Sequence, residues 1–132
     1  AYTEEDLKTF LMPLVEAGID MFHASNRRYW EPEFEGSNLN LAGWTKKLTG
    51  LPTITVGSVG LKSDFIGLYA GEDAVESQSI DDLVKRMEAD EFDMVAIGRA
   101  LLSDPEWVKK VKAGDFEEII PFEKKYAREV YF

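Results

Sequence analysis

An α/β fold built on parallel strands is predicted for this chain, and three observations carry the prediction. Short runs rich in aromatic and branched residues recur at Ile19 to Ser25 (IDMFHAS), Thr53 to Val56 (TITV) and Phe92 to Ile97 (FDMVAI). Stretches with apolar residues at helical spacing separate them. Each run leads into a loop that could face a ligand. Strands that alternate with helices pair in parallel through right-handed crossovers, which gives an open sheet or a barrel. Periodicity does not choose between the two.

Thr3 followed by Asp6 resembles a capping box, and Leu7, Phe10, Leu11, Leu14 and Val15 then share one face up to Gly18, so residues 4–17 read as an amphipathic helix. Pro13 lies inside it and removes a backbone hydrogen bond, which predicts a kink in the last turn. The first strand follows at once. A polar and aromatic loop, NRRYWEPEFEGSN, leads to a helix over residues 39–49, stopped by Gly50 and Pro52. TITV is the second strand, dense in β-branched residues, and it runs into GSVG at Gly57 to Gly60. An irregular stretch is expected from there to about Gln78. Ser79 is the expected cap of a helix through Ala89, with Ile80, Leu83, Val84 and Met87 on its apolar side. The third strand ends at Gly98-Arg99. Pro105 suits a first helical turn, Trp107, Val108 and Val111 form its stripe, and Gly114 ends it before a mixed aromatic and charged tail. Three parallel strands cannot close a barrel, and parallel sheets are stable mainly when covered on both faces, so the chain reads as part of something larger.

Composition removes several classes of function. With 45% hydrophobic and 30% charged residues the chain has the balance of one globular unit, and no apolar run reaches the roughly 18 residues of a membrane span. The acidic start AYTEEDLK is unlike an export signal, which makes a cytoplasmic home the expectation. Cysteine is absent and His23 is the single histidine, so thiolate or histidine-built metal sites and a Ser-His pair are not expected. A net charge of −10 opposes binding to nucleic acid, and any anionic ligand must be held by local geometry.

The segments that carry chemistry are Val56 to Gly60 (VGSVG) and Ile97 to Arg99 (IGR), which end successive strands. In a (β/α)8 barrel the loops after the last two strands commonly bind phosphate, because glycines let backbone N–H groups approach the anion. The planar fork of Arg99 suits phosphate oxygens. The plainer alternative is that Gly57, Gly60 and Gly98 only permit tight turns. Their occurrence at two successive strand ends favours phosphate.

ITVGSVG and FDMVAIGRALLSDPEWVKKVKAG together resemble the last two strand-helix units of the old yellow enzyme family of NADH:flavin oxidoreductases, or ene-reductases. IDMFHASNRRYWEPEFEG resembles the sixth strand and loop of a bacterial branch of that family, so the likeness covers nearly the whole chain. The resemblance implies that residues 1–132 form a partial TIM barrel of the α/β class, strands six to eight with helices on the outer face. It also implies FMN as cofactor, NADH or NADPH as reductant, and an activated alkene as substrate. Gly57 and Ser58 match the seventh-strand contacts to the FMN phosphate, and Gly98 and Arg99 match the eighth-strand contacts. Val59 is either a backbone donor in the same turn or a packing residue, and Gly60 is read as conformational. The family's substrate-anchoring pair, its tyrosine proton donor and its strand-five arginine have no counterpart here, so an inactive isolated chain is expected.

Other residues have simpler readings beside their functional ones. His23 lies where a barrel enzyme puts ligand-facing groups, but a lone histidine in an apolar strand is more often structural. Tyr29, Trp30 and Phe34 line a substrate or flavin edge or anchor the loop to the core. Arg27 and Arg28 beside Glu31, Glu33 and Glu35 make a solvated ion-pair cluster or steer an anionic nicotinamide. Asp81, Asp82, Glu88 and Asp90 read as a solvated helix face. Two rival functions remain open: a phosphate-binding barrel enzyme without flavin, and a non-catalytic half-barrel assembly module. The expected partners of the chain are the absent barrel half or a second copy.

Overall fold

The computed structural model describes the backbone of residues 3–62, 74–75 and 79–129, and the side chains of residues 3–62 and 79–126. The described chain forms two compact units. The first comprises Ala1–Gly57 and Asp81–Ala96, and the second Ser58–Ile80 and Ile97–Phe132.

In the first unit, helix α1 (Glu4–Glu16) opens on the expected capping box: the Asp6 N–H donates to Thr3 Oγ1, and the Thr3 N–H donates to the Asp6 carboxylate. Pro13 is carried within the helix rather than ending it. Strand β1 (Phe22–Ser25), helix α2 (Leu41–Thr49) and strand β2 (Thr53–Val56) follow. Strand β1 is shorter than the apolar run, because its ladder begins only where Phe22 meets Thr53. Helix α2 starts two residues later than predicted, because Asn40 caps it by accepting from the Gly43 N–H.

Strand β3 (Ala74–Val75) belongs to the second unit, while helix α3 (Asp81–Glu88) and strand β4 (Met94–Ala96) return to the first. The sheet has the order β1-β2-β4, all parallel, which is the predicted α/β arrangement of consecutive barrel strands. In register, Phe22, Ala24, Thr53, Thr55 and Val95 share one face. Helices α1 and α2 cover it through a core of Leu7, Leu11, Phe22 and Trp44, with Phe34 and Leu48 packed at its margin. The opposite face carries His23, Ser25, Ile54, Val56, Met94 and Ala96, none of them fully buried. An apolar side chain such as Phe22 contributes about 1.5–3 kcal/mol on burial, so the α1/α2 layer is the main source of cohesion in this unit.

The second unit departs more from expectation. The segment after Gly98 is already helical as α4 (Arg99–Ser103), and the Pro105 helix proves to be α5 (Trp107–Ala113), with Pro105 two residues ahead of it rather than in its first turn. Asp104 separates the two helices because its carboxylate accepts from the Glu106 N–H in place of a helical carbonyl. The tail is ordered: a 3-10 turn (Phe116–Glu118), strand β5 (Phe122–Glu123) and helix α6 (Lys124–Glu129). Strand β5 pairs antiparallel with β3, Val75 opposite Phe122. The irregular stretch expected up to Gln78 falls mostly outside the described residues. Among the described residues no helix is long and apolar enough to cross a membrane.

Candidate functional site

Strand β2 delivers Gly57, and Ser58 follows it with φ 53, a left-handed conformation that is uncommon outside glycine. The Leu61 N–H closes the turn onto the Ser58 carbonyl at 3.0 Å. Val59 is buried, so its side chain packs. Gly60 has φ 71, and a Cβ there would stand 2.9 Å from the Trp107 ring, so shape and conformation both demand glycine.

Within the second unit, Arg99 Nη2 donates to Ser58 Oγ at 3.2 Å, and the guanidinium carbon lies 5.8 Å from the centre of the Phe122 ring. The structure therefore brings together two of the four predicted contacts, a hydroxyl that follows β2 and a cation that follows β4. Ser58 is buried and Arg99 half-buried, which strengthens a charge-assisted bond relative to one in open water. Gly98 is exposed, and no described atom lies within 4 Å of where its Cβ would stand. A backbone bare of side chain beside a cation and a hydroxyl is a donor set that suits an anion of phosphate type.

Helix α4 is anchored from its other end. The Asp104 carboxylate accepts from Lys110 Nζ at 2.7 Å, from the Ile120 N–H at 3.0 Å and from the Glu106 N–H at 3.1 Å. Burial pushes this carboxyl up, but the Lys110 ammonium and the two N–H groups outweigh burial and hold its pKa below the usual carboxylate value. Ser103 Oγ donates to the carbonyls of Ala100 and Ile120 and ties the same turn to the tail. Neither residue was singled out from sequence. The only available signal was the DP pair at 104–105, a turn cue.

In the first unit, Gly57 with φ 147 lies under the start of the long loop: the Tyr29 N–H donates to its carbonyl at 3.0 Å. Tyr29 is buried, and burial first, then the nearby Asp82 carboxylate, push its phenol pKa up. Trp30 packs edge-on against the Tyr29 ring, and Phe34 against Trp44, so Tyr29 and Phe34 serve as loop anchors. Arg86 reaches the same loop by donating to the Asn38 carbonyl at 2.9 Å, while pairing with Asp82 and Glu91. Arg28 pairs with Glu31 at 2.6 Å, as the ion-pair reading of that cluster expects. Asp90 is exposed but pairs with Lys46, which also holds Asp93. His23 is exposed and borders an open groove of about 520 Å³ with Asp6, Phe10, Ser25 and Glu33.

Parallel strands flanked by helices and followed by glycine-bearing turns, one with a hydroxyl and one with a cation, define a chain of the α/β class. No protein-family model matches the chain. In an alignment of 125 residues that covers 89% of the chain, it is 34% identical to a protein named NADH oxidase from Thermoanaerobacter brockii. The chain spans 16% of that protein.

Proposed function

We propose that this chain is the C-terminal part of the barrel of an FMN-dependent NAD(P)H oxidoreductase of the old yellow enzyme, or ene-reductase, type, and that it supplies the FMN phosphate site. The observation that carries the reading is the Arg99–Ser58 bond, which joins the arginine and the hydroxyl of the two family motifs. The similarity to a protein named NADH oxidase supports an oxidoreductase role. When bound, FMN supplies hydride transfer between a nicotinamide and an acceptor, for which the family resemblance suggests an activated alkene.

The work of this chain is to bind and orient. The Arg99 guanidinium and Ser58 hydroxyl hold the phosphate, while Gly57 and Gly98 allow the backbone close to it. With a net charge of −10 on the chain, these local donors must overcome an unfavourable long-range field. No residue of the chain is assigned as a proton donor. The isolated chain is accordingly inactive in NAD(P)H-dependent enone reduction, and its partner is the remaining barrel or a second copy.

The test compares Arg99→Ala with Arg28→Ala in the protein that carries this chain, following FMN release by recovery of flavin fluorescence. A charged hydrogen bond of about 1.5–3 kcal/mol corresponds to a loss of roughly 10–150-fold in FMN affinity for Arg99→Ala. Arg28, in a partly exposed pair, moves it less than about threefold. Equal losses overturn the assignment, and a purified protein free of flavin favours a phosphate-binding barrel enzyme without it.

A further inference from the structure

We propose that Asn40, at the start of α2, is a positioning residue for the anion-binding turn, acting on Gly57 through the backbone of Tyr29; the proposal rests on the phosphate site described above. Asn40 has no exposed surface, and every polar atom of its side chain is engaged. Its Oδ1 accepts from the Gly43 N–H at 2.9 Å, which is the helix cap. Its Nδ2 does something a cap does not require: it donates to the Tyr29 carbonyl at 2.8 Å and to Thr55 Oγ1 at 3.0 Å. One amide thus joins α2, β2 and the long loop.

Tyr29 passes this constraint on. Its N–H holds the Gly57 carbonyl, and three residues earlier the Asn26 N–H holds the Val56 carbonyl at 3.1 Å. The loop backbone lies so close that a Cβ on Gly57 would stand 2.6 Å from the Asn26 carbonyl oxygen. A peptide unit is planar and trans, so its carbonyl and its N–H point to opposite sides. Fixing the Gly57 carbonyl therefore fixes the direction of the N–H of Ser58, the residue whose hydroxyl meets Arg99. Serine, aspartate and asparagine all cap helices well, but among them asparagine alone carries its acceptor and a two-hydrogen donor on separate atoms, so that one oxygen serves the cap while one nitrogen serves both Tyr29 and Thr55.

Asn40→Ser keeps a capping oxygen and deletes the Nδ2 donor; Asn40→Asp does the same in an isosteric side chain. Dissociation constants for FMN and for riboflavin, which lacks the phosphate, are measured in the protein that carries this chain. Both variants are expected to lower the preference for FMN over riboflavin by about tenfold, within the range of ordinary coupling between sites. Thr55→Val removes the other Nδ2 partner and is expected to shift the melting temperature but not that preference. Coupling is reciprocal, so in the unsubstituted protein FMN, and not riboflavin, should slow exchange of the Tyr29 amide hydrogen.

An unchanged preference in the variants, or FMN binding that leaves the Tyr29 amide unaffected, overturns the role of Asn40 and leaves the phosphate site standing. An unsubstituted protein that does not prefer FMN over riboflavin overturns both.

Discussion

Gly57 and Gly98 follow two neighbouring parallel strands, and the same residue type stands in opposite surroundings. At Gly57 the fold itself forbids a side chain: φ is 147, and the Asn26 carbonyl and Tyr29 nitrogen occupy the place of a Cβ at 2.6 and 3.1 Å. At Gly98 φ is −107, and no described atom stands within 4 Å of a Cβ. One glycine is required by the chain's own packing. The other has no described atom where a Cβ would stand, so packing among the described residues does not require glycine there. Their supports differ too. Gly57 is held by the Tyr29 N–H, whose residue is tied in turn to the neutral amide of Asn40, whereas the helix that begins after Gly98 ends on the buried carboxylate of Asp104.

The largest effect should come from placing a methyl group at the crowded end. Gly57→Ala is expected to destabilise the fold by about 3 kcal/mol or more, since it combines a backbone overlap with a left-handed residue. Urea unfolding measures this, and a variant as stable as the parent would break the contrast. The same substitution at Gly98 should leave the unfolding free energy within about 1 kcal/mol of the parent, while FMN affinity falls because the methyl group fills the space proposed for the phosphate. A drop in stability without a drop in affinity would make Gly98 a structural glycine after all.

Acid should separate the two supports more gently. The pKa of Asp104 is lowered in the folded state, so its contribution is fully present above the unfolded value of about 3.9 and is lost as pH falls through the folded value. Hydrogen exchange at the Asp104 and Ile120 amides is expected to accelerate below about pH 4, ahead of exchange at the Tyr29 amide. Simultaneous loss would mean that the Asp104 support is no more acid-sensitive than the neutral clamp.

The readable parts of the molecule were those whose causes are local. TITV is β-branched throughout and forms β2 with the predicted bounds. Thr3 and Asp6 form their capping box because both partners lie within one helical turn. Helix α4 was missed because its five residues, RALLS, are too few for an apolar stripe to declare itself. The β3-β5 pair was missed because its strands have two residues each and meet across a long sequence separation. At the candidate site, glycine at successive strand ends and family motifs singled out Ser58 and Arg99, which the structure joins by a hydrogen bond. Their supports were not, since Asn40 looks like an ordinary cap and Asp104 like an ordinary turn residue.

By itself the sequence determined the alternation of strands and helices, the parallel α/β class and the positions of Gly57, Ser58, Gly98 and Arg99, because periodicity, turn chemistry and motif all act over a few residues. Tertiary structure alone decided that Arg99 meets Ser58 at 3.2 Å, that Gly57 is roofed by the loop backbone, and that one buried amide at Asn40 ties helix, strand and loop together. The physical reason is that each of these bonds joins residues at least eleven positions apart, where no local preference acts and only the packing of the elements brings donor to acceptor.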